Sequence, residues 1–175
     1  MTDQTQHQSE QRIYVACLAA YNNGCLHGRW IDANQDKEDI LSEIRAMLKA
    51  SPIPDAEEYA IHEYEGFGDI IIEEYQSIES VAAIAEFIQE HGILGTYVFG
   101  HYNDLDMARE MMEDHYIGEY ETVADFAREI TEETTEIPQN VAFYVDYDLM
   151  ARDMEVNDIH AFQIGAGSFH IFWQR

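Results

Sequence analysis

Basic residues are scarce in this sequence: 9 Lys and Arg stand against 35 Asp and Glu, a formal net charge of -26 over 175 residues. With no basic patch, direct binding of nucleic acid is excluded, because the field of the chain repels phosphate. Cysteine is also scarce. Cys17 and Cys25 are too few for a disulfide framework. No apolar run approaches the roughly 18 residues of a membrane span, and residues 1–11 are polar, with no apolar signal-peptide core. The expectation is a frayed N-terminal tail on a cytoplasmic protein with reduced thiols. The chain has no P-loop, no G-x-G-x-x-G and no G-x-S-x-G. Its eight histidines form no H-x-x-x-H pair, so a zinc site is unsupported. Asp104-Leu105-Asp106 lacks the glycine that a calcium loop needs at its sixth position, where Arg109 stands. Cys17 or Cys25 with His27 would make a nucleophile and base, but the first reads as a core strand residue and the second as a hairpin residue. No catalytic residue, metal or cofactor is expected.

What the chain does contain is a folding composition. It is 46% hydrophobic, with 8 Phe, 11 Tyr and 2 Trp, enough to bury a core despite the charge. The charge is unevenly spread. Residues 1–50 carry 7 acidic and 5 basic side chains, whereas residues 51–160 carry 28 acidic and 3 basic ones, Arg109, Arg128 and Arg152. That long anionic stretch stays rich in Ile, Val, Phe and Tyr, which marks a folded acidic surface rather than a solvated tail.

Local patterns give an α+β protein. Residues 12–20 read as a strand, Asn22-Asn23-Gly24 as a turn and residues 26–33 as a return strand. Asp36 is positioned to cap a helix over 37–49, with Ile40, Leu41, Ile44 and Leu48 on one face. Residues 58–64 read as a third strand, followed by a Gly66-Phe67-Gly68 turn. Ser77 caps a helix over 78–91, carrying Val81, Ile84, Ala85 and Ile88, with Gly92 at its C′ position. A short apolar segment, 93–99, follows. Asn103 or Asp104 caps the next helix, and residues 113–121 read as a polar, Tyr-rich loop around Gly118. Thr122 with Asp125 forms a capping box for a helix that Pro138 ends. Residues 141–146, 159–164 and 169–173 alternate as strands, the last two joined as a hairpin by Gly165-Ala166-Gly167. The expected architecture is elongated, with small antiparallel sheet-plus-helix lobes at each end and a mainly helical middle, divided at 1–62, 63–103 and 104–175.

The helix after Thr122 carries the physical argument. Val123, Phe126, Ala127, Ile130, Thr134 and Ile137 fall on one face, and Asp125, Glu129, Glu132, Glu133 and Glu136 on the other. Five carboxylates over roughly 16 Å give one charge per ~4 Å, against one per ~3.4 Å along a DNA strand. Only Arg128 interrupts them, at the edge of the stripe. An ordinary exposed helix sets Lys or Arg four residues after Glu; here Asp125/Glu129, Glu129/Glu133 and Glu132/Glu136 are like-charged, each costing about 0.2–0.5 kcal/mol. The 78–91 helix repeats this with Glu79, Glu86 and Glu90, whereas the 37–49 helix balances its acids with Lys37, Arg45 and Lys49. Two blander readings stand beside this one, a merely soluble acidic surface and adaptation to a salty cytoplasm; the contrast between helices argues against the first and the balanced first 50 residues against the second. The expectation is a DNA mimic that occupies the DNA-binding groove of another protein. Its phosphate-like carboxylates are Glu79, Glu86, Glu90, Asp104, Asp106, Glu110, Glu113, Asp114, Glu119, Glu121, Asp125, Glu129, Glu132, Glu133 and Glu136. The alternative is an acidic adaptor or chaperone for other basic DNA-binding proteins.

Several stretches in order resemble one family. Ile13-Tyr14-Val15-Ala16, Tyr21-Asn22 and Leu26-His27-Gly28-Arg29-Trp30-Ile31-Asp32 are similar to the N-terminal signature of the ArdA antirestriction proteins, which plasmids, transposons and phages carry. Ala60-Ile61-His62-Glu63-Tyr64-Glu65-Gly66-Phe67 follows the same pattern. Asp114-His115-Tyr116-Ile117-Gly118-Glu119-Tyr120 resembles that family's D-x-Y-x-G-x-Y antirestriction motif, and Phe169-His170-Ile171-Phe172-Trp173 its ending. The likeness spans about residues 12–175. It implies a dimeric, three-lobed protein whose curved acidic surface imitates bent B-DNA. It also implies binding to Type I restriction–modification enzymes, with DNA kept from their specificity and methyltransferase subunits. In this family the motif is associated with the dimer contact, which assigns Tyr116, Ile117, Gly118 and Tyr120 to a homodimer interface. The two tyrosines are large and amphipathic, suited to that role. No membrane partner is implied.

Overall fold

The computed structural model describes residues 10–175. The chain is α+β and separates into two compact units, one running to Thr96 and the other spanning Tyr97–Arg175. Their charges are equal. The first 96 residues hold 18 acidic and 5 basic side chains, the remainder 17 and 4, so each unit has a net charge of -13.

The first unit is built on a three-stranded antiparallel sheet of order β2-β1-β3, with β1 at Arg12–Cys17, β2 at Gly28–Asp32 and β3 at Tyr59–Glu65. Because β1 is central, Ile13, Val15, Ala16 and Cys17 are all buried. The strand expected over 12–20 stops at Cys17. Residues Leu18–Asn22 instead make a short helix, α1, whose first turn is held by Ala20 N–H donating to Cys17 Sγ. The 37–49 helix is present as α2, Lys37–Lys49, and buries Ile40, Ile44 and Met47. Asp36 holds its N-cap position but makes no side-chain capping bond. Ser77 does cap α3, Ile78–Tyr102, accepting from Ser80 N–H at 3.2 Å. Gly92 takes φ 61°, a left-handed value that glycine adopts without a Cβ clash. Helix resumes beyond it, so residues 93–99, expected only as an apolar segment, are helical.

The second unit holds the last residues of α3, then α4 at Leu105–Glu110 and a π-helical turn at Met111–His115. Asp104 caps α4 by accepting from Met107 N–H at 2.8 Å. The Tyr-rich segment read as a loop contains a strand, β4, Tyr116–Tyr120. It pairs antiparallel with β6, Ser168–Trp173, in a sheet of order β4-β6-β5, where β5 is Ile159–Gly165. The β5–β6 hairpin matches its expectation, with Gly165 opposite Ser168 and Gly167 at φ 67°. No strand forms over 141–146. A single turn, α6 at Gln139–Ala142, leads into α7, Tyr147–Asn157, a helix that the sequence patterns did not suggest.

Helix α5, Val123–Thr134, behaves as its sequence dictates. Val123, Phe126 and Ala127 enter a core completed by Ala151, Ile159 and Ile171. Ile130 packs against the same core with Met150 and Met154 from α7, and the carboxylate face stays exposed. The helix ends at Thr134, so Glu136 lies beyond it and Glu132/Glu136 is not a helical pair. Thr122 Oγ1 accepts from Asp125 N–H at 3.1 Å and donates to Asp125 Oδ2 at 2.6 Å. Thr122→Ala should therefore lose about 1 kcal/mol, read as a lowered urea midpoint with an unchanged denaturant slope.

Candidate functional site

Each helix presents its acids differently. On α5, Asp125, Glu129, Glu132 and Glu133 are exposed along about 12 Å of axis. Arg128, the one base on that helix, lies over the Tyr147 ring at 5.2 Å from its centroid. Helix α7 runs beside α5, joined to it by Thr131 Oγ1 at 3.0 Å from Met150 Sδ. It adds exposed Asp148, Asp153 and Glu155, with Asp146 and Asp158 at its ends. These acids were missed because the helix itself was missed; Tyr147, Met150, Ala151 and Met154 at helical spacing were the signal.

Of the fifteen expected carboxylates, Glu79, Glu86 and Glu90 lie in the first unit and the other twelve in the second. Several already have internal work. Glu79 accepts from Lys37 Nζ at 3.4 Å, across from α2. Glu90 lies 3.8 Å from His91. Glu110 is half-buried between Arg175 at 3.5 Å and His115 at 3.8 Å. Asp104 and Asp125 cap helices, Ser168 Oγ donates to Glu119, and Tyr147 O–H reaches Glu132 at 3.5 Å. Asp106, Glu113, Asp114, Glu121, Glu133 and Glu136 are exposed, as is Glu86.

The motif strand β4 sits at the edge of its sheet, and among the described residues no strand pairs with its outer side. Tyr116 is exposed, with its hydroxyl 2.8 Å from His170 Nδ1 and its ring stacked on that imidazole. Ile117 and Gly118 are half-buried. Tyr120 packs edge-on against Phe126 and donates its hydroxyl to Glu129 Oε1 at 2.8 Å. The motif is thus tied to the acidic helix by one hydrogen bond and one ring contact.

Both thiols belong to the first unit. Cys17 is buried, with Sγ 3.4 Å from Ser51 Oγ, and Cys25 is exposed. His27 Nε2 bonds the Met47 carbonyl at 2.7 Å. Among the described residues there is no cluster of three or more potential metal ligands, and no helix long and apolar enough to cross a membrane.

The profile of the ArdA family, described as antirestriction protein, matches residues 13–167, which include α5 and the β4 motif and end just before β6. The chain belongs to the ArdA family. No curated protein matches it. ArdA membership implies antirestriction activity exerted through restriction–modification enzymes, by inhibition rather than by catalysis.

Within this ArdA chain the motif tyrosines should titrate late. Burial, then the hydrogen bond to Glu129, then the charges of Glu129 and Glu133 push the Tyr120 phenol from 10.0 up to about 12. Tyr116 is raised as well, by burial and then by Glu119. A phenol that holds its proton more tightly when folded contributes stability that is fully present below pH 10 and is lost as pH climbs towards 12. Absorbance titration should show a Tyr120 transition near 12 that moves down in Glu129→Gln. An unmoved transition would refute the coupling.

Proposed function

We propose that this ArdA protein is a DNA mimic, binding Type I restriction–modification enzymes stoichiometrically in the groove that DNA would occupy. The observation that carries this reading is the carboxylate face of α5. Its spacing of about 4 Å is close to that of strand phosphates, and the neighbouring acids of α7 widen it. A basic groove attracts such a surface at long range and speeds encounter. The specificity and methyltransferase subunits, which hold the DNA, are the partners this chemistry fits.

We also propose a homodimer through Tyr116, Ile117, Gly118 and Tyr120. Two molecules of net charge -26 repel each other, so their contact must be locally poor in charge. Strand β4 has one carboxylate in five residues, Glu119, with Ser168 and His170 beside it, and an edge free of strand pairing among the described residues. An exposed edge is a ready template for a second copy of itself.

The test is competition. Purified protein should displace a duplex bearing the recognition sequence from a Type I methyltransferase core, saturating at a fixed ratio to enzyme. Restriction loss without DNA displacement would argue against mimicry. Equal binding to unrelated basic proteins such as histone-like factors would favour the adaptor reading.

A further inference from the structure

The segment between α5 and α7 carries two aromatic side chains that the fold does not use. Phe143 is 90% exposed and Tyr144 80% exposed. Their rings meet edge to face with centroids 5.6 Å apart, and Val141 beside them is also exposed. In sequence this stretch has the alternation of a buried strand. In the fold it is one helical turn, α6, and an open connection. The core of the unit closes without it, on Val123, Phe126, Ala127, Ala151, Ile159 and Ile171. Large contiguous apolar exposure on a soluble protein marks an interaction site, and rigid aromatic rings are the side chains that most often anchor one.

The surroundings select the partner. Along the chain from residue 129 to residue 151 there is no Lys or Arg, and on either side of the rings in sequence stand the exposed acids Glu132, Glu133, Glu136, Asp146 and Asp148; Arg128, just outside this stretch, lies over the Tyr147 ring. A second copy of this chain would set one carboxylate frame against another. The complementary surface is basic and contains a slot for a flat ring. A nucleotide has the same layout, a planar base bordered by anionic groups. An enzyme that methylates a base must draw that base out of the stack into a pocket beside its phosphate-binding surface.

We infer that Phe143, buttressed edge-on by Tyr144, occupies the pocket for an unstacked nucleobase in the DNA-methyltransferase part of the restriction–modification enzyme. The inference rests on the DNA-mimic reading and adds to it a substitute for the base alongside substitutes for the phosphates.

The experiment uses the full chain and an isolated Type I methyltransferase core, with wild type, Phe143→Ala/Tyr144→Ala and Phe143→Leu/Tyr144→Leu. Stacking on a base-sized surface is typically lost at roughly tenfold or more in affinity per ring, so both variants should bind roughly tenfold weaker. Their affinity should keep the wild-type salt slope, because no charge has changed. Melting temperature and oligomeric state should stay unchanged, because both side chains lie outside the core. Alanine variants that bind like wild type would overturn the inference. Leucine variants that bind like wild type would also overturn it, since apolar area rather than a flat ring would then suffice. A shift in oligomeric state would reassign the rings to self-association. If the wild-type protein fails to bind the methyltransferase core, the mimic reading itself falls, and this inference with it.

Discussion

Raising salt from about 50 to 200 mM should weaken the complex with a Type I enzyme at least about tenfold. A protein that neutralises 6–10 DNA phosphates loses roughly 10³–10⁵ over that interval, through displaced counterions. Carboxylates on a protein surface condense fewer counterions than a duplex does, so the expected loss falls below that range. It stays large because little of the charge is cancelled within the fold. Arg12 pairs with Glu65, Arg29 with Glu43, Lys37 with Glu79 and Arg175 with Glu110, and 35 acidic residues face only 9 bases in all. Glu133→Lys with Glu136→Lys should lower the salt slope by about one for each contact removed. The same pair should leave the fold intact, because the change at position 133 sets a lysine four residues after Glu129, a favourable helical spacing worth about 0.2–0.5 kcal/mol. Glu129 is the wrong residue for such a reversal, since it accepts the Tyr120 hydroxyl. An affinity that stays flat across the salt range would rule out electrostatic mimicry.

Signals confined to a few neighbouring residues were legible in the sequence. The Thr122–Asp125 box, the apolar face of α2 and the glycine-bearing β5–β6 turn each specify their own geometry, and the acidic face of α5 followed from its period alone. Where structure depends on distant partners, the reading failed. Residues 116–120 looked like a loop because Ile117 is their only aliphatic residue. They form a strand because β6 supplies a ladder from far along the chain, Tyr116 opposite Phe172 and Tyr120 opposite Phe169. Residues 141–146 alternate as a strand does, yet among the described residues no neighbouring strand is there to receive them. In α7 the acids and Arg152 obscured a face of Tyr147, Met150, Ala151 and Met154 that becomes apolar only when α5 covers it. The candidate surface shows the same division. Its charge was evident, but the engagement of Glu79, Glu110 and Glu129 by Lys37, Arg175 and Tyr120 depends on contacts between elements.

Phe126→Ala should remove a large part of the stability of the second unit. Phe126 is 1% exposed, and its ring lies edge-on to Tyr120 of β4 at 5.3 Å and to Trp173 of β6 at 5.8 Å. It therefore holds α5 against two of the three strands at once. Truncating a buried Phe typically costs about 3–5 kcal/mol, part of it lost transfer energy and part the cavity left behind. A domain of this size has a total of only about 5–15 kcal/mol. The loss should also reach the functional surface, since α5 presents its carboxylates in register only while its opposite face is anchored. Trp30 lies in the first unit and Trp173 in the second, so a Trp30→Phe background makes tryptophan emission a reporter of the second unit alone. Urea titration in that background should show the Trp173 transition moving to markedly lower denaturant with a similar slope. The variant's inhibition should fall in step with its folded fraction. A midpoint shift equivalent to less than about 1 kcal/mol would mean that the surrounding side chains collapse into the vacated space. In that case α5 is held mainly by Val123, Ala127 and Ile130 with the α7 methionines, and the tie between the motif strand and the acidic helix rests on the Tyr120–Glu129 hydrogen bond.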